Sequence, residues 1–114
     1  MVGCDIGTGG TKAIIVDLKG KVVSSHFFEY GLIIPKSGWA EQDPEWYWKG
    51  VTETIRVSIQ KAGINPKDII AVGLSSLTPA CILIDKDFKL LQNSHIWMDR
   101  RATNECEWIR KNMG

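Results

Sequence analysis

Asp5-Ile6-Gly7-Thr8-Gly9-Gly10-Thr11-Lys12 sets one carboxylate and one ammonium at the two ends of a stretch made almost wholly of glycine and threonine. Those residue types in that order suit the binding of a phosphate. Glycines at 7, 9 and 10 let the backbone turn with positive φ and come close to a bulky anion, so that main-chain N–H groups can cradle it. Thr8 and Thr11 add hydroxyl donors, and Asp5 is placed to hold a hydrated Mg²⁺, an ion that prefers few carboxylates and several waters. The plainer reading is a glycine-rich turn with an exposed aspartate. A purely structural two-residue hairpin, however, needs neither a carboxylate nor paired threonines.

The flanking segments determine what kind of loop this is. Residues 2–5 and 12–17 both read as strands, so the loop joins two antiparallel strands. It is neither G-x-x-x-x-G-K-[ST] nor a G-x-G-x-x-G between strand and helix. A turn at residues 18–21 returns the chain as a third strand over 22–30. Residues 31–42, with Pro35 and Gly38, form an irregular excursion in which Trp39 is expected to pin the loop onto the sheet.

Asp43 and Pro44 open a helix as N-cap and first helical residue, and Gly63 stops it. Its apolar face, Trp48, Val51, Ile55, Ile59 and Ala62, is expected to pack on the sheet. Trp46-Tyr47-Trp48 reads as core and staple residues rather than a base-stacking platform. After the Asn65-Pro66 turn, residues 69–75 are a continuous apolar run, the pattern of a strand buried on both faces, lying parallel to the first strand with the helix as crossover. Residues 80–85 and 89–92 suggest a hairpin around Lys86-Asp87, and 96–101 lead into a last helix over 102–112. The fold class is therefore α/β, the start of a ribonuclease-H-like domain with a mixed sheet.

The composition narrows the field. Fourteen basic and thirteen acidic residues among 114 nearly cancel, which argues against a nucleic-acid footprint or an acidic membrane surface as partner. Cys4, Cys81 and Cys106 are too few and too scattered for a disulfide framework or a Cys-x-x-Cys metal site, and a reduced cytoplasm is the expected setting. No targeting segment or apolar run of the ~20 residues that span a bilayer is present.

A phosphate loop on a β-hairpin resembles the actin, sugar-kinase and heat-shock ATPase superfamily. Four blocks sharpen the resemblance: the loop itself, Gly38-Trp39-Ala40-Glu41-Gln42-Asp43-Pro44, Gly73-Leu74-Ser75-Ser76, and Ile96-Trp97-Met98-Asp99-Arg100-Arg101. In this order they resemble the amino-terminal domain of FGGY-family carbohydrate kinases, which include xylulose, ribulose, gluconate and glycerol kinases. The resemblance implies ATP and Mg²⁺ as cofactors, with Asp5 the metal-associated carboxylate and Gly7, Thr8, Gly9, Gly10 and Thr11 the loop for the β- and γ-phosphates. Lys12 stands where these kinases carry Arg or Lys, a cation that would neutralise charge on the transferring phosphoryl group; a solvated strand lysine is the other reading of it.

The same resemblance puts Thr78, Pro79, Trp97 and Asp99 at the sugar, the first three on the side of the cleft that also carries residues 6–11. Trp97 would stack on a sugar face and Asp99 take its hydroxyls, although Trp97 could equally be core and Asp99 could pair with Arg100 or Arg101. Glycerol kinases share an Arg-Glu pair at the positions of Thr78 and Pro79, and xylulose kinases often show Gln-Met-His over 77–79; this chain has Leu77-Thr78-Pro79. That departure speaks against glycerol and leaves the sugar open, with a pentulose such as xylulose the first candidate. The family's catalytic base and adenine pocket match nothing within these residues. The expectation is therefore part of a longer two-domain kinase, inactive on its own, whose exposed apolar surface would favour self-association. The rival reading is a non-enzymatic regulatory or actin-like module, against which the Trp-Met-Asp-Arg-Arg block weighs.

Overall fold

The computed structural model describes residues 1–113. In chain order the elements are β1 (Val2–Ile6), β2 (Gly10–Val16), β3 (Val22–Glu29), β4 (Glu41–Gln42), α1 (Pro44–Ala62), β5 (Val72–Ser76), β6 (Ala80–Cys81), β7 (Ser94–Ile96) and α2 (Thr103–Asn112). They fall into two compact units, one of Met1–Gly31 with Pro44–Leu77, the other of Leu32–Asp43 with the chain from Thr78 onward.

In the first unit the meander and the crossover form as expected. The sheet runs β3-β2-β1-β5, with β1 antiparallel to β2 and parallel to β5. Strand alternation sends Val2, Cys4, Thr11, Ala13 and Ile15 to one face, where all are buried. Helix α1 covers that face over β2 and β3. It does so with a different stripe from the expected one: its buried residues are Tyr47, Gly50, Thr54 and Ser58, whereas Trp48 is 68% exposed. Small residues let the helix come close to the strands. Polar ones are tolerated because each hydroxyl finds a backbone carbonyl: Thr54 Oγ1 donates to Gly50 O at 2.7 Å and Ser58 Oγ to Ala13 O at 3.3 Å. The apolar stripe of Trp48, Val51, Ile55 and Ile59 lines an open groove instead.

Strand β5 also departs from expectation. Its five residues are all exposed, with Leu74 at 67%: it is the edge of the sheet next to β1, while α1 covers β2 and β3 at the other side. The apolar run that suggested burial on both faces is uncovered in this chain.

The second unit has a small sheet in the order β4-β7-β6, held by two-residue ladders. Strand β7 was not anticipated. The hairpin of residues 80–92 closes as a turn in which Asp85 Oδ1 accepts from the amides of Asp87 and Lys89, with Ile84 bridged to Leu90. Only Ala80–Cys81 of it counts as regular strand. Trp39 does not serve as a plain apolar pin: two cations stand over its ring, Lys36 Nζ at 3.9 Å and the Arg101 guanidinium carbon at 3.7 Å from its ring centres. Helix α2 forms as expected.

Candidate phosphate-loop site

The loop from Gly7 to Gly10 is a tight connection closed by Gly7 N–H donating to Gly10 O at 2.9 Å. Glycine is demanded at one position only. Gly10 lies so close to the Phe27 ring and the Phe28 carbonyl that a Cβ there would overlap both, and it alone among the three loop glycines has positive φ. A Cβ on Gly9 would meet nothing within 4 Å, so the space beside it is open to an approaching group.

Beneath the loop sits Tyr30, which composition and spacing did not single out. Its hydroxyl donates to Gly7 O at 2.7 Å, its backbone N–H donates to Gly9 O at 3.3 Å, and Thr11 Oγ1 lies 3.3 Å from the phenolic oxygen. A phenol has one proton, already given to Gly7 O, so the Thr11 hydroxyl is the donor in that contact. Thr11 is fully buried, and its hydroxyl is directed to the core rather than outward. Tyr30 packs against Trp46, Tyr47 and Phe28, with its ring 5.6 Å from that of Tyr47. Burial pushes its phenol above the usual range, so it keeps its proton at neutral pH. The only sequence signal for this role was an aromatic at the end of a strand facing two more at the start of a helix.

On the sheet face away from α1, Asp5 stands directly opposite Lys12 on β2 and beside Ser75 on β5. All three are exposed. Residues directly opposite across an antiparallel pair bring their Cβ atoms within about 5 Å. With Gly3, Ile14 and Gly73 they line a hollow of about 510 Å³. One carboxylate, one ammonium and one hydroxyl at the mouth of a glycine loop fit a magnesium–polyphosphate group, which needs one carboxylate for the metal and donors for the phosphates.

The four residues carried over for the sugar belong to the second unit. Thr78, Pro79 and Trp97 are exposed there, Trp97 by 55%. Asp99 is not. Its Oδ2 accepts from Ala40 N–H at 2.8 Å, its Oδ1 from Arg101 N–H at 3.0 Å, and Arg101 Nε bridges both oxygens at 2.8 and 2.9 Å. Of the two pairings open to Asp99, the structure shows the one with Arg101. These bonds hold the Asp99 carboxyl far below the usual carboxylate range. The same guanidinium reaches Glu41 Oε1 at 2.6 Å and His95 Nε2 at 2.9 Å. An arginine can only donate, so His95 Nε2 is the acceptor in that contact. The network of Glu41, His95, Asp99, Arg101 and Trp39 was not legible as such, because it joins two distant stretches of chain, Arg101 lying 60 residues from Glu41.

The family profile described as the N-terminal domain of the FGGY family of carbohydrate kinases matches residues 1–114. The chain belongs to that family. Among curated relatives, the FGGY chain is 34% identical over 112 residues to a glycerol kinase of Leptospira biflexa, and 39% identical over 111 residues to one of Thermoanaerobacter sp.. These alignments take in 97% and 96% of the chain but 22% of each relative. A solved xylulose kinase of Lactobacillus acidophilus, titled as ligand-bound, superposes with a TM-score of 0.89 at 35% identity, over 96% of this chain and 22% of that one. The α/β architecture expected from sequence is thus the one found in sugar-kinase structures. The FGGY chain spans about a fifth of the length of the proteins it matches.

Proposed function

We propose that this chain supplies the phosphate loop and one sugar-facing wall of an ATP-dependent carbohydrate kinase, working as part of a longer two-domain protein. The observation that carries the reading is the row of Asp5 and Lys12 across β1 and β2 at the base of a loop whose backbone is open beside Gly9. Family membership and the kinase names of the relatives support it.

In this reading Asp5 is the residue that would hold Mg²⁺, which supplies charge neutralisation to the phosphates when bound. Thr8, Gly9 and Gly10 would offer main-chain N–H groups to the β- and γ-phosphates, while the Gly7 N–H closes the turn on Gly10 O and Thr11 is held beneath them. Lys12 provides a cation on the same face as Asp5, suited to the equatorial oxygens of the group in transfer. Proton removal from the sugar hydroxyl falls to a carboxylate outside these residues. Trp97, Thr78 and Pro79 form the sugar-facing wall; Asp99, chelated by Arg101, sets the position of that wall rather than offering free oxygens to a sugar.

The acceptor we favour is a pentulose such as xylulose rather than glycerol. Thr78 and Pro79 supply neither the charge nor the donors of an Arg-Glu pair, so three-carbon polyol recognition by that pair has no counterpart here. A coupled assay of the full-length protein against pentuloses, hexonates and glycerol tests this. Turnover with a pentulose and none with glycerol is the expected result; turnover with glycerol alone overturns the choice of substrate, and no ATP-dependent turnover with any acceptor favours a non-enzymatic module.

A further inference from the structure

We infer that Tyr30 is a positioning residue for the phosphate loop, acting from beneath it by fixing the orientation of two of its peptide planes. The inference rests on the reading of residues 7–11 as that loop. Three glycines in four positions would ordinarily leave such a segment with many accessible backbone states, and a ligand would bear the entropic cost of ordering it. One backbone hydrogen bond, Gly7 N–H to Gly10 O, closes the turn from within. Tyr30 adds three further ties.

The three ties are spaced along the loop. The phenol takes the Gly7 carbonyl at 2.7 Å, the Tyr30 amide takes the Gly9 carbonyl at 3.3 Å, and the Thr11 hydroxyl takes the phenolic oxygen at 3.3 Å. In a trans peptide the C=O and the following N–H point in opposite directions. Carbonyls of Gly7 and Gly9 turned toward Tyr30 therefore turn the N–H groups of Thr8 and Gly10 away from it. Donors preset toward an anion cost no reorganisation when charge arrives, which is the basis of electrostatic preorganisation.

Tyr30 is itself held rigidly. It is 8% exposed, stacked on Trp46 and edge-on to Tyr47, both from α1. The helix is locked in turn by the contact of Gly50 with Thr11. The phenolic oxygen thus transmits the position of the helix to the loop, while the ring alone serves the core.

That division suggests a one-atom test, Tyr30→Phe, with Thr11→Val as a second variant that removes the other hydroxyl and keeps the shape. In the full-length protein, the expected result is a rise of roughly tenfold in KM for ATP in both variants, with KM for the sugar unchanged; a displaced catalytic loop commonly costs up to ~100-fold. Amide hydrogen exchange, read without any substrate, should quicken at residues 7–10 and stay unchanged along β1 and β2. Unchanged exchange at residues 7–10 in both variants overturns the inference, whether or not the protein phosphorylates a sugar. Equal shifts of KM for ATP and sugar also overturn it, since a general loss of folded protein would move both. A wild-type protein without kinase activity whose Tyr30→Phe variant still loosens the loop would count against the kinase reading alone and leave the structural inference standing.

Discussion

Gly50 of α1 rests on Thr11 of β2 so closely that a methyl group at Gly50 would lie 2.6 Å from Thr11 Oγ1 and 2.9 Å from Thr11 Cβ. Mid-helix glycine costs about 1 kcal/mol relative to alanine, so its presence at the end of the second turn reflects that contact. Gly50→Ala is expected to destabilise the protein by about 1–3 kcal/mol through overpacking, more than the gain in helix propensity returns. Urea unfolding measures it. A variant more stable than wild type would mean that the helix can lift off the strand without loss.

The sheet-facing stripe of α1 gives a second test. Trp48→Gln, on the open side, is expected to change stability by no more than about 0.5 kcal/mol. Tyr47→Ala, one residue earlier and buried against Tyr30, should cost about 3–5 kcal/mol. Chemical denaturation of the two variants should show that order, and the reverse would return the apolar stripe to the core.

Acid should act on the second unit through Asp99 and Glu41. Hydrogen bonds from Arg101 lead the causes that lower both carboxyls in the folded chain. The unfolded chain therefore binds protons first as pH falls. The stabilisation is complete above the ordinary carboxylate range near pH 4 and is lost progressively as pH drops through it toward the folded values. Thermal melts from pH 7 to pH 3 are expected to fall more steeply for wild type than for Asp99→Asn, which should start lower and vary less. Parallel curves would show that the Arg101 pairing contributes nothing to acid sensitivity.

Trp97 is expected to act on the sugar alone. Trp97→Ala in the full-length protein should raise KM for the sugar roughly tenfold, the worth of ~1.4 kcal/mol, with KM for ATP unchanged. Steady-state kinetics with each substrate varied in turn decides it; an effect confined to ATP would take Trp97 out of the sugar wall.

Much of the architecture was legible because it rests on local period and turn chemistry. The 2–17 hairpin, the helix opening at Pro44 and the parallel return of residues 72–76 all follow from alternation, caps and glycine stops. The face of α1 differs from the expected one because hydrophobicity marks Trp48, Val51, Ile55 and Ile59, while close approach selects Gly50, Thr54 and Ser58, the hydroxyls of the last two being satisfied by carbonyls that sequence does not display. The exposure of β5 was misjudged because an apolar run says what a strand can bury but not what covers it. At the site, Asp5 and the glycine loop were visible as neighbours in the chain. Tyr30 lies 23 residues from Gly7 and Arg101 60 from Glu41, so both partnerships exist only once the fold has formed.

Under the proposed function, Asp5 at the foot of the loop would organise the metal-bound phosphates for transfer to a sugar. Turnover of the full-length Asp5→Asn protein, assayed beside wild type with ATP, Mg²⁺ and the preferred sugar, tests it most directly. Asparagine keeps the shape of the side chain and removes the charge, on a strand position that is exposed, so cooperative folding should persist. Turnover is expected to fall ~100-fold or more, as when charge stabilisation at a phosphoryl group is lost, with an unchanged melting transition. Near wild-type turnover in a folded Asp5→Asn protein would contradict it.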